Sequence, residues 1–239
     1  MRRAFRIVAG VLGVAVIGLT LPFAVGTFFS DVDQIHRLHG VAGVFASGLL
    51  LGGSLLVCAR KPESMIGPFW VAVASGVAST IAGLISGDFI TGLWFIAPIS
   101  LVILIALHPE RRSLFAIGGV DPAAAAMAAL ALVPAVAYAL TQSELQRNGS
   151  PLDPHVEFHH YSGMASYALS LPLAALAAAL RLPGRRIAVW IVGVTGAGLG
   201  LASLLLSDYV GAFDPVWAWL ALAWGVVFVA VAQPRRGSA

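Results

Sequence analysis

The chain has 239 residues, 59% hydrophobic and 10% charged, with a mean hydropathy of +0.91. Soluble domains carry about 25% charged residues, so this composition excludes an ordinary soluble globule. The single cysteine, Cys58, excludes an internal disulfide framework and every cysteine-rich zinc motif, leaving histidines and carboxylates as metal ligands. The net charge of +3 sits in short basic clusters between apolar runs, without the basic, aromatic-interleaved face that nucleic acid requires.

A membrane span takes about 20 mostly apolar residues, because lipid offers no partner to an unbonded backbone N–H or C=O. Segments at 5–27, 37–58, 66–86, 89–107, 121–141, 160–180, 186–206 and 213–232 qualify. The sequence therefore predicts an all-α integral membrane protein with eight transmembrane helices. The first segment has a rival reading as a cleaved leader, on its basic start and the small residues Ala24-Val25-Gly26. Against that, its apolar run is longer than a leader core, and it has a counterpart later in the chain.

With the N-terminus in the cytoplasm, every basic residue except Arg37 and Arg147 falls inside. The acids divide the other way: Glu63, Glu110 and Asp121 fall inside, while Asp31, Asp33, Asp88, Glu144, Asp153, Glu157, Asp208 and Asp214 fall outside. This obeys the positive-inside rule and places both termini in the cytoplasm. The bias towards Ala, Gly, Val and Arg points to a bacterial source and so to the plasma membrane.

Sliding the sequence by 120 residues aligns Asp33 with Asp153, His39 with His159, Gly43 with Gly163, Trp70 with Trp190, Gly76 with Gly196 and Asp88 with Asp208. Each unit holds an even number of helices, so the copies share one orientation. The expectation is two parallel four-helix repeats, 1–112 and 113–239. Gly48 and Gly52, Ser79 and Gly83, and Gly196 and Gly200 have the spacing that lets membrane helices approach closely. Such faces serve packing, or docking onto a membrane-protein partner or a second copy.

The polar chemistry gathers at the outer surface, where His36, His39, His155, His159 and His160 join the acids; His108 alone lies inside. Within each unit, a tight inner turn returns the chain so that His39 is expected beside Asp88, and His159 beside Asp208. Two such sets facing one another suit a divalent zinc, copper or manganese ion, or a small polar ligand. The candidate ligands are His39, His159, Asp88 and Asp208, with His36, His160 and Glu157 near them. The plainer reading is that Asp33 and Asp153 cap helices and His–Asp pairs tie helix ends.

A metal-bound water with Glu157 or Asp88 as base would support hydrolysis, but the sequence has no HExxH, GxSxG or Ser-x-x-Lys signature. Enzymatic activity is left open. Lys61 is the only lysine and lies in a loop, which excludes a retinal Schiff base.

The runs FFSDVDQIHRLHGVAG (28–43), LDPHVEFHHYSGMAS (152–166) and SDYVGAFDPVWAWLALAW (207–224) resemble the bacterial membrane family called domain of unknown function 998. That resemblance covers about half the chain and implies a membrane fold without an established activity. Asp33 followed by His36-Arg37 is also similar to haem A synthase, a membrane protein of two parallel four-helix units. That second resemblance implies haem between paired histidines such as His39 and His159. The chain departs from it in an acid-to-histidine spacing one residue short, and in an eighth helix without histidine.

Overall fold

The computed structural model describes residues 1–30, 34–90, 94–116 and 118–233, and these are helical without a β-strand. In chain order the main helices are α1 (Arg2–Phe29), α2 (Arg37–Arg60), α3 (Ile66–Ser86), α4 (Ile96–Leu107), α5 (Pro122–Asn148), α6 (His160–Ala179), α7 (Arg185–Leu205) and α8 (Pro215–Ala232). All except α4 are long and apolar enough to cross a membrane. The chain is thus a multi-pass helical protein of membrane type.

The fourth expected span differs. Its helix has 12 residues, about 18 Å at 1.5 Å per residue, rather than the full 89–107 segment. The helix begins at Ile96, and Pro98 sits in its first turn, where the missing N–H would have had no intrahelical partner. Asp31 and Asp33, outer acids in the sequence reading, lie outside the described residues.

Helix starts are written in Asp-Pro pairs. The Asp121 carboxylate accepts from the Ala124 N–H at 3.0 Å and Asp214 from the Val216 N–H at 3.0 Å, each with proline at the first helical position. The side chain satisfies an orphan N–H, and proline gives up an N–H that had no partner. Helix α2 is π-wound from Val44 to Gly53, the segment that carries its packing glycines.

Helices α3, α6 and α7 fill the interior, while α1, α5 and α8 turn Val11, Val14, Leu130, Val133, Val216 and Val226 outward. Lipid is as apolar as these side chains, so close backbone approach and interhelical hydrogen bonds hold such a bundle together. Between α3 and α6, the Ser79 and Ser166 hydroxyls lie 2.8 Å apart and those of Ser75 and Ser170 3.5 Å apart. Ser86 of α3 donates to Ser143 of α5 at 3.0 Å. Between α7 and α8, a Cβ added at Gly225 would stand 2.4 Å from the Ala197 nitrogen, which explains glycine there.

The arginine-rich end carries two ion pairs. Arg2 pairs with Glu63 at 2.7 Å, and Arg185 with Asp121 at 2.8 Å. Arg6 donates to the carbonyls of Ala59 and Arg60, capping α2. His108 is buried here against Phe5 and Phe69, with Nδ1 accepting from the Glu110 N–H at 3.1 Å. Burial disfavours its charged form and lowers its pKa to about 4, against the opposing pull of Glu63.

Candidate histidine centre

At the opposite end the chain brings four imidazoles together. His36 comes from a single 3-10 turn, Gln34–His36, and His39 from the first turn of α2. His155 comes from a one-turn helix, Pro154–Glu157, and His160 opens α6. Ring centroids are 4.4 Å apart for His36–His160, 4.9 Å for His39–His160, 5.1 Å for His39–His155 and 5.2 Å for His36–His155. The remaining pairs, His155–His160 and His36–His39, stand at 6.0 and 6.3 Å. His36, His39 and His155 are buried.

Asp153 fixes one of these rings. Its Oδ1 accepts the His155 backbone N–H and lies 2.9 Å from His155 Nδ1, while Tyr161 donates to Oδ2 at 3.0 Å. Burial pushes the Asp153 carboxyl up, but the His155 backbone N–H, the His155 ring and the Tyr161 hydroxyl outweigh it and hold its pKa below the usual carboxylate value. With Nδ1 held as donor, the His155 lone pair is on Nε2, a buried atom without a hydrogen-bond partner among the described residues. Both ring nitrogens of His39 and Nδ1 of His160 are in the same condition. Buried polar atoms are nearly always satisfied, and each one left over costs about 1–3 kcal/mol. Among the described residues, no three His, Cys, Asp or Glu side chains are placed so that they could hold a metal ion as they stand; His39 and His160 instead stack at 22°.

The predicted partners are rearranged. His159 does not meet Asp208; its Nδ1 lies 3.2 Å from Oδ2 of Asp88, which also accepts from Ser162 at 2.5 Å. Each unit was expected to pair its own histidine and acid, yet the pair formed joins the second half's histidine to the first half's acid. His159 also departs from His39, its counterpart in the repeat. It has φ 57°, the left-handed region and the one such non-glycine among the described residues, at a cost of about 1–2 kcal/mol. That reversal sends adjacent histidines apart, His159 to Asp88 and His160 to the cluster. The two rings that the haem resemblance would set on either side of an iron are thereby separated in role.

Asp208 is exposed in the turn after α7, and Glu157 is exposed beside Asp88 and His159 on an open cavity of about 560 Å³. A more enclosed cavity of about 240 Å³ reaches His39, His159, His160, Trp94 and Tyr167. Gly211, with φ 84°, backs onto the cluster, and a Cβ there would stand 3.3 Å from His39 Nε2. Arg37 donates to the Thr27 carbonyl at 3.0 Å and to the Tyr209 hydroxyl at 3.1 Å, clamping α1 to the turn after α7.

Sequence reasoning assigned no ligand role to His155, nor the orienting role to Asp153. The signal was Asp153-Pro154-His155, where proline fixes a turn that returns the carboxylate to the ring two residues on. No family model, curated protein or solved structure matches this chain.

Proposed function

We propose that this is a bacterial plasma-membrane protein of two parallel four-helix units, related to domain of unknown function 998, whose extracytoplasmic end binds a divalent metal. The observation that carries the reading is the gathering of four histidines at one end, where buried ring nitrogens of His39, His155 and His160 have no hydrogen-bond partner among the described residues, opposite an arginine-rich end that holds the ion pairs Arg2–Glu63 and Arg185–Asp121. Arginine at one end and histidine with carboxylate at the other is the arrangement expected when the basic end faces the cytoplasm. Imidazole suits zinc and copper, and the carboxylates orient the rings that would hold them.

The test is elemental analysis of detergent-purified protein for zinc, copper, manganese and iron per chain, with His39→Ala alongside. One zinc, copper or manganese per chain, lost in the variant, supports the reading. Iron would support haem in its place. Wild-type protein that stays metal-free after metal is supplied would contradict the reading and favour a structural subunit, its histidines tying helix ends.

A further inference from the structure

Resting on that reading, we infer that the metal is held by nitrogen alone, by His36, His39, His155 and His160, with Asp153 as a positioning residue. Among the described residues, the carboxylates nearest the cluster are already engaged: Asp88 with Ser162 and His159, Asp153 with His155 and Tyr161. Glu157 and Asp208 face outward. What the interior of the site offers is imidazole.

The spacing fits a common ion. With Zn–N near 2.0–2.1 Å and tetrahedral angles, centroids of four coordinating imidazoles stand about 5 Å apart. The six separations here run from 4.4 to 6.3 Å. Binding requires the rings to swivel, chiefly to unstack His39 from His160, and not the helices to move. The Asp153–His155 pair is the carboxylate–histidine arrangement that sets tautomer and direction in metal sites, leaving Nε2 to bind. His155 is thus committed in advance to binding through Nε2.

Two consequences follow from the donor set. Four neutral nitrogens select zinc or copper over magnesium and calcium, which take oxygen ligands. The ion would also join His36 and His39 of the first half to His155 and His160 of the second, bridging α2 to α6. Of the two pairs the sequence picked out, His159 and Asp208 take no part.

Cobalt(II) added to the detergent-purified full chain tests this, since its visible d–d bands report tetrahedral nitrogen ligation directly. The expected result is one cobalt per chain with intense bands, displaced by zinc and unaffected by excess magnesium. His155→Ala and His160→Ala should each weaken binding at least about 100-fold, while His159→Ala and Asp208→Asn leave it within about twofold. Asp153→Asn, which keeps all four histidines, should weaken it about 10- to 100-fold with the band shape retained. Monodisperse elution of each variant checks its fold, and the wild-type spectrum needs no variant.

Cobalt bound with weak, six-coordinate bands, or lost in His159→Ala and kept in His155→Ala, would overturn the four-imidazole assignment while the metal-binding reading stands. Failure of wild-type protein to bind cobalt, zinc or copper would overturn both.

Discussion

The two ends of this bundle satisfy their polar groups to different degrees. At the basic end most buried or half-buried side chains have a counterpart, Arg185 meeting Asp121 and the Ala178 carbonyl, Arg6 the last carbonyls of α2, and Trp70 the Leu114 carbonyl, with the buried His108 Nε2 left over. At the histidine end, nitrogens of His39, His155 and His160 are buried without partners among the described residues. A fold closes the ends it needs only for stability, and it carries an unsatisfied end at a cost that a ligand can offset.

Substitutions that break this contrast should have opposite signs. Arg185→Ala leaves Asp121 without its cation and should cost about 3 kcal/mol in thermal unfolding in detergent. Acidification should act next, through His108. An unfolded histidine titrates near 6.5, while buried His108 resists protonation until about pH 4. The unfolded chain therefore binds more protons across that window, and stability is complete above it and falls as pH drops through it. His108 should contribute a loss of about 3 kcal/mol by pH 4, so the loss in His108→Leu, whose unfolding should be compared across that pH series, should be smaller by that amount.

His39→Leu, measured without metal, should instead leave stability unchanged or raise it by about 1 kcal/mol, because it removes two unpartnered buried nitrogens. A loss as large as that of Arg185→Ala would erase the distinction between the ends. Asp208→Asn should change stability by less than about 0.5 kcal/mol, as an exposed side chain does.

Hydropathy and helix-start chemistry made most of the architecture legible. Seven of the eight expected segments are long apolar helices, and Asp121-Pro122 and Asp214-Pro215 mark their starts within a residue or two. Gly76 faces Leu101 of α4, and Gly196, 120 residues further on, faces Trp224 of α8. That spacing did not predict a side chain's direction. His39 and His159 align in sequence, but the left-handed backbone at His159 turns that ring to Asp88 and passes the equivalent place to His160. Trp70 donates to the Leu114 carbonyl, whereas its counterpart Trp190 is half exposed. A single φ angle decides which of two adjacent histidines turns towards the cluster.

X-ray absorption at the zinc edge, on protein loaded with one equivalent of zinc, tests the central claim most directly. A first shell of four nitrogens at about 2.0–2.1 Å, with the outer-shell scattering of imidazole rings, is the predicted result. A shell dominated by oxygen, or by fewer than three imidazoles, would contradict it.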